Sequence, residues 1–138
     1  MHTALITGSY GGLGRCFCDI HARLGGNLIL VGRNKEKLEA QRNELMDQYS
    51  IEVEVIEADL SQENAANKIY NICKENKWII DILINNAGFE KTGHFKQMKT
   101  TDILAIIDLN IKGFSMINRI CIPYMIKGSI GIMTCSIS

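Results

Sequence analysis

Three glycines at positions 8, 12 and 14 lie between a short apolar run, Leu5-Ile6, and a segment with a helical pattern. A strand that turns directly into a helix needs such a loop where a pyrophosphate must approach the backbone closely. Gly8 permits the turn, Gly12 removes a Cβ that would block the phosphates, and Gly14 lets the helix pack closely on the sheet. The helix N-terminus then presents N–H groups and the positive end of its dipole to the anion. An ordinary glycine-rich turn would show the same spacing, but we assign to a dinucleotide site the loop residues Gly8, Ser9, Tyr10, Gly12, Leu13 and Gly14.

Arg33 and Asn34, which follow the second apolar run, are candidates for contact with an adenosine ribose. A carboxylate at this place would hold the 2′-hydroxyl of NAD, but after the second apolar run the first carboxylate is that of Glu36. An arginine can instead form a forked contact with a 2′-phosphate, so the sequence favours NADP over NAD. A solvated arginine in a turn is the alternative interpretation.

Polar and small residues also follow the third and fourth apolar runs. Asp59, followed by Leu60, comes after the third run, and its carboxylate would either accept a hydrogen bond from an adenine amino group or cap the next helix. After the fourth run, two amides precede two small residues, which lets the backbone approach a flat ligand, although Asn and Gly also form ordinary turns. The candidate residues of this second segment are Asn86, Ala87 and Gly88.

The composition argues against several classes of partner. The 138 residues carry 15 basic and 15 acidic side chains, so no broad basic field favours nucleic acid or an acidic membrane surface. We expect neither a membrane span nor a signal peptide, because no apolar run is long enough and the first predicted strand begins at once. Five scattered cysteines are typical of reduced cytoplasmic thiols, and three distant histidines predict no metal site. We therefore expect a cytoplasmic protein.

Apolar and amphipathic segments alternate along the whole chain. Such regular alternation predicts an α/β fold, namely a doubly wound parallel sheet of the Rossmann type with about five strands and helices on both faces. The loops after successive strands then converge at the carboxyl edge, so residues 1–138 form one dinucleotide-binding domain. We predict strands over 3–7, 28–31, 51–56, 79–84 and 129–134, and helices over 13–24, 35–49, 61–76 and 101–126.

Three details of the helices follow from residue types. Ser61 is the predicted N-cap of the third helix. Leu38, Leu45 and Met46 are the predicted inward positions of the second helix. Pro123 is expected to perturb the long fourth helix.

The motifs together resemble those of a known family. Thr7-Gly8-x-x-x-Gly12-x-Gly14, then Asp59, then Asn85-Asn86-Ala87-Gly88 resemble, in this order, the short-chain dehydrogenase/reductase family, NADP-preferring type. Leu109-Asn110-Ile111-x-Gly113 resembles the segment of that family's helix asparagine, and Ile122-Pro123-Tyr124-Met125 resembles the segment before its fifth strand. The resemblance covers the whole chain and corresponds to the amino-terminal, cofactor-binding portion of the family.

The resemblance implies an activity and two catalytic positions in this chain. The activity is NADP-dependent hydride transfer between a carbonyl and an alcohol of a small-molecule substrate, in a homo-oligomer whose subunits pair through the helical stretch 103–126. Asn110 matches the asparagine that keeps a water in the family's proton relay. The family's catalytic serine aligns near Cys135 or Ser136, and we select Ser136, with Ser138 as the alternative.

One family motif is missing from its expected place. The family's Tyr-x-x-x-Lys, which supplies its acid/base, lies beyond the fifth strand, and the one occurrence of this spacing here, Tyr70 to Lys74, falls within the third predicted helix. We therefore expect the chain to be the cofactor-binding part of such an enzyme, ending after strand five, and to lack turnover by itself. The alternative is a non-catalytic fragment that binds a dinucleotide or a partner chain. A flavodoxin-like domain shares the fold class but explains neither Arg33 nor the segment 85–88.

Overall fold

A parallel sheet organises the chain, as the alternating pattern predicts. The computed structural model describes residues 2–89, 91–125 and 130–133. All four strand pairings are parallel, and the five strands lie in the order β3-β2-β1-β4-β5. The strands are β1 (Thr3–Thr7), β2 (Asn27–Gly32), β3 (Val53–Glu57), β4 (Ile82–Asn85) and β5 (Ile130–Met133).

The helices lie between the strands along the chain. They are α1 (Gly12–Arg23), α2 (Lys35–Gln48), α3 (Ala65–Glu75), α4 (Thr100–Ile107) and α5 (Phe114–Cys121). A π-helical turn (Asp108–Gly113) joins α4 to α5, and short 3₁₀ turns cover Phe95–Gln97 and Ile122–Tyr124. No helix in the described ranges combines the length and apolar character that crossing a bilayer requires.

Two apolar layers cover the two faces of the sheet. Side chains alternate along β1, so Leu5 packs in the layer with α3 and α5, whereas Ala4 and Ile6 pack in the layer with α1 and α2. Because both faces are buried, the central strands are nearly continuous apolar runs rather than alternating ones. Strand order reverses at β1, which pairs with β2 on one side and β4 on the other, so a crevice opens between the loops that follow β1 and β4.

The third helix begins later than the sequence predicts. Ser61 is not its N-cap, because the Ser61 hydroxyl and amide both donate to Oδ1 of Asp59, at 2.6 and 3.0 Å. This local turn competes with helix formation, and α3 begins only at Ala65, with Asn64 as its N-cap.

The predicted long helix is interrupted earlier than at Pro123. The π-helical turn contains Asn110, whose side chain bonds to the loop after β4, and Gly113, where an added Cβ would collide with the carbonyl oxygen of Leu60. Irregular turns of this kind commonly occur where a tertiary contact constrains a helix. Pro123 then lies in the 3₁₀ turn that follows α5, consistent with its expected effect.

One predicted inward position of α2 is wrong. Leu38 and Leu45 are buried as expected, but Met46 is 46% exposed. The third inward position belongs to Gln41, which is 3% exposed and lies on the same helix face as the two leucines. A polar side chain is retained there because it bonds to the loop after β1, as described below.

Candidate functional site

A cavity of about 560 Å³ lies at the carboxyl ends of β1, β2 and β4, at the reversal of strand order. It brings together the loops that the sequence predicted to converge. A volume of this size is typical of a site for a small organic ligand. The lining residues are Gly8, Tyr10, Gly11, Gly12, Leu13, Val31, Gly32, Arg33, Ala58, Leu60, Asn86, Ala87, Gly88, Phe89 and Leu109.

The glycine loop has the geometry that its spacing predicts. Gly8 has a φ of +64°, which strongly favours glycine, and an added Cβ would lie 3.0 Å from the Cα of Ala87. Gly14 is buried, and an added Cβ would collide with the carbonyl oxygen of Gly8. Gly12 differs, because a Cβ there would meet nothing within 4 Å. Gly8 and Gly14 thus shape the turn, whereas Gly12 leaves space beside the helix N-terminus.

The N-terminus of α1 is suited to an anion. Its N-cap is Gly11, which provides no side-chain cap, and its first turn contains no acidic residue. The Arg15 N–H donates to the Gly11 carbonyl at 2.8 Å. The N–H groups of the helical residues before Arg15 have no carbonyl acceptor within the helix. These donors, together with the helix dipole, provide what a pyrophosphate requires. The loop therefore fits the diphosphate of a dinucleotide.

Thr7 holds the loop after β4 beside the glycine loop. Its Oγ1 accepts the N–H groups of Asn86 and Ala87, each at 2.9 Å, and its hydroxyl faces Oδ1 of Asn85 at 3.4 Å. The Asn86 side chain adds a bond to the carbonyl of Gly8 at 3.3 Å. The small residues of this segment are consequently fixed on one wall of the cavity.

Ser9 has a structural environment beneath the glycine loop. It is fully buried, its hydroxyl donates to Oε1 of Gln41 at 2.9 Å, and Nε2 of Gln41 donates back to the Ser9 carbonyl at 2.8 Å. The Cys18 thiol lies against the same carbonyl at 3.8 Å. Burial, with a smaller contribution from Asp19, raises the pKa of Cys18 to about 12, so this thiol stays protonated. The Ser9 side chain therefore ties the loop to α2.

The loop after β2 places Arg33 on the cavity wall. Arg33 is exposed, and no carboxylate lies between it and Glu36. Asn34 forms the N-cap of α2, and its Oδ1 accepts the Lys37 N–H at 3.0 Å. An exposed guanidinium on the wall provides the charge and fork geometry that a 2′-phosphate needs.

Asp59 lies half-buried at the end of β3, close to the cavity. Burial acts to raise its pKa, but hydrogen bonds from Ser61 and the positive charge of Arg33 hold the pKa below its ordinary value. The carboxylate is therefore ionised at neutral pH and caps the turn before α3. The other expected role, contact with an adenine, stays a prediction.

The chain as a whole matches one family. A family model described as short chain dehydrogenase matches residues 2–138. The chain belongs to the short-chain dehydrogenase family. The resemblance of the motifs is thereby confirmed.

The chain spans about half the length of the family members that it matches. The chain is 37% identical over 130 residues to the 3-oxoacyl-[acyl-carrier-protein] reductase FabG of Rickettsia bellii, which covers 94% of the chain and 50% of that relative. It is 33% identical to a short-chain dehydrogenase from Sphingobium yanoikuyae solved in complex with NADPH, with a TM-score of 0.81 over 89% of this chain and 48% of that one. An alcohol dehydrogenase from Thermococcus sibiricus, solved with 5-hydroxy-NADP, has a TM-score of 0.90 at 22% identity, covers 96% of this chain and 57% of that one, and supports the fold alone.

The structure describes only one of the two predicted catalytic residues. Asn110 lies in the π-helical turn, where its Oδ1 accepts the Phe89 N–H at 2.9 Å and its Nδ2 donates to the Phe89 carbonyl at 2.7 Å. The amide thus holds the loop after β4, and its role in a proton relay stays a prediction. Ser136 and its alternatives Cys135 and Ser138 lie outside the described residues.

Some predicted residues lie behind the cavity wall, and some wall residues were not predicted. The predicted cofactor residues that do not line the cavity are Ser9, Gly14, Asn34 and Asp59. Phe89 and Leu109 also line the wall, although neither is among the predicted cofactor residues. Two supporting residues, Thr7 and Gln41, had a usable signal, because each is a polar residue at a position where the pattern calls for an apolar one.

Proposed function

We propose that the chain binds NADP(H) in the cavity and forms the cofactor-binding part of an oxidoreductase that transfers hydride between a carbonyl and an alcohol. The observation that carries the proposal is the convergence of three features on one cavity: the α1 N-terminus, the small-residue segment after β4, and Arg33. Membership of the family and the NADPH complex of the Sphingobium relative support it.

Each part of the cavity has a proposed task in holding the cofactor. The backbone at Gly12 and Leu13 binds the pyrophosphate, because the first N–H groups of α1 are available there. Arg33 binds the 2′-phosphate, and Asp59 with Leu60 receives the adenine. Ala87 and Gly88 leave room for the backbone to approach the rest of the cofactor. The cofactor supplies the hydride or accepts it when bound.

The proposed substrate is a small molecule with a carbonyl or alcohol group. Asn110 is proposed to position a water, and Ser136 to polarise the substrate oxygen. The one Tyr-x-x-x-Lys spacing of the sequence, Tyr70 to Lys74, lies on α3 and neither residue lines the cavity, so we propose binding and polarisation for this part of the enzyme but assign no proton transfer. We further propose a homo-oligomer, because exposed apolar side chains lie on α4, the π-helical turn and α5.

Gly12→Val tests the assignment of the site. An added Cβ at this position meets no atom of another element within 4 Å, so we expect the variant to fold with a nearly unchanged thermal unfolding midpoint. The isopropyl group would occupy the space proposed for the phosphates. We expect the Kd for NADPH, measured by fluorescence of the reduced nicotinamide, to rise about tenfold or more, because charge-assisted hydrogen bonds are lost. Unchanged NADPH affinity in a folded Gly12→Val variant would place the cofactor elsewhere.

A further inference from the structure

Tyr10 connects the glycine loop to the loop that carries Arg33. Its hydroxyl accepts the backbone N–H of Asn34 at 3.2 Å. Its ring lies against Gly32, where an added Cβ would be 2.6 Å from Cε1 of the tyrosine. Gly32 and Asn34 are the two chain neighbours of Arg33, so one side chain contacts the backbone on both sides of this arginine.

The contact continues into the first turn of α2. Asn34 caps the helix by accepting the Lys37 N–H at 3.0 Å, and Nζ of Lys37 lies 5.6 Å from the centre of the Tyr10 ring. Each of the three residues Tyr10, Asn34 and Lys37 therefore contacts the other two, next to the backbone of Arg33. The ammonium group over the ring adds a cation–π attraction that holds the same turn.

We propose that Tyr10 is a positioning residue for Arg33 and thereby sets the preference for NADP(H) over NAD(H). The inference rests on the proposed function, in which Arg33 binds the 2′-phosphate. An exposed arginine loses conformational freedom when it binds an anion, and a fixed backbone on both sides reduces that loss. Because Tyr10 itself belongs to the glycine loop, it also fixes the distance between the pyrophosphate site and the 2′-phosphate site.

Tyr10→Phe is the test, because it keeps the ring and removes the acceptor for the Asn34 N–H. For the unmodified protein we expect NADPH to bind about tenfold or more tightly than NADH. In Tyr10→Phe we expect the Kd for NADPH to rise about three- to tenfold while the Kd for NADH changes by less than about twofold, as the loss of one hydrogen bond that supports Arg33 predicts. Tyr70→Phe, which changes a tyrosine of α3 that packs edge-on against Tyr124, is the matched control and should leave both values unchanged.

Amide hydrogen exchange of Asn34, followed by NMR, reports the lost bond directly and should become faster in Tyr10→Phe. A cofactor preference that stays unchanged while Asn34 exchanges faster would overturn the role of Tyr10 and leave the proposed function intact. An equal fall in affinity for both cofactors would also overturn it, because Tyr10 would then support the loop in general. Equal affinity of the unmodified protein for NADPH and NADH would overturn the proposed cofactor preference and this inference with it.

Discussion

Single polar side chains determine how the walls of the cavity are held together. Thr7 is buried at the end of β1, and its Oγ1 accepts two backbone N–H groups from the segment after β4. Gln41 makes two bonds to Ser9 from α2. We propose no contact between either side chain and the cofactor, but both hold loops whose backbone is proposed to bind it. The precision of the site therefore depends on residues behind its surface.

Thr7→Val should destabilise the protein although the two side chains have nearly the same shape. The substitution leaves the N–H groups of Asn86 and Ala87 without their acceptor, and we expect the free energy of unfolding to fall by about 2 kcal/mol or more. Urea unfolding followed by circular dichroism measures the change. Thr92→Val, at an exposed position, is the control. A loss in Thr7→Val no larger than in the control would show that the two bonds contribute nothing to stability.

At the level of residues, the motif positions could be predicted, whereas the partners of the residues that support them could not. Spacing alone selected Gly8, Gly12 and Arg33, which line the cavity, because a phosphate site requires these types at these distances, and their contacts with phosphate stay predictions. Ser9 is predicted as a loop residue of the dinucleotide site, but nothing in the sequence indicates that its hydroxyl bonds to Gln41, 32 residues away along the chain. A single sequence carries no information about which distant side chain will pair with it.

Among the elements, the interruption between α4 and α5 connects a helix to the cavity. Asn110 makes two bonds to the backbone of Phe89, and Nζ of Lys91 lies 2.7 Å from a carboxylate oxygen of Asp102 on α4. The loop after β4 is thus attached to the helical stretch at two places. A regular helix would turn Asn110 by a different angle, so the π-helical turn and the loop depend on one another.

Asn110→Ala tests this attachment. Loss of both side-chain bonds should expose the Phe89 amide, and we expect its hydrogen exchange to become about tenfold faster. Asn118→Ala is the control, because this asparagine of α5 donates to the Phe114 carbonyl at 3.0 Å and its substitution removes a side-chain bond that does not involve Phe89. Unchanged exchange at Phe89 in Asn110→Ala would contradict the attachment.

Element types could be predicted, whereas several boundaries could not. Apolar periodicity and the glycine and polar segments between elements identified the strands and helices, because these signals are local. The start of α3 depends on the turn between Asp59 and Ser61, in which two candidate caps bond to each other. The π-helical turn depends on Phe89 and Leu60, which lie far from it in sequence.

At the scale of the whole molecule, one face of the helical stretch is apolar and exposed. Leu104, Ile107 and Ile111 are 54%, 42% and 59% exposed, and Met116 and Ile122 extend the same stretch. Exposed apolar surface of this kind is typical of a protein–protein interface. It supports the proposed homo-oligomer, most simply a twofold dimer.

Ile111→Lys should dissociate the oligomer. A buried ammonium at a symmetric interface occurs twice and is costly to desolvate, so we expect the mass measured by light scattering at micromolar concentration to fall from that of a dimer to that of a monomer. Ile20→Lys, at a residue of α1 that is 55% exposed, is the matched control. A monomeric mass for the unmodified chain would contradict the proposed assembly.

The claim that the cavity holds NADP(H) through Arg33 is tested most directly by calorimetric titration with NADPH and NADH. We expect the unmodified chain to bind NADPH about tenfold or more tightly than NADH, because a charge-assisted pair with the 2′-phosphate contributes about 1.5–3 kcal/mol. Arg33→Ala should remove this preference and leave NADH affinity nearly unchanged. Arg23→Ala, in the last turn of α1, is the control and should retain the preference for NADPH. Equal affinity of the unmodified chain for the two cofactors, or a preference that survives Arg33→Ala, would contradict the role of Arg33 in binding NADP(H).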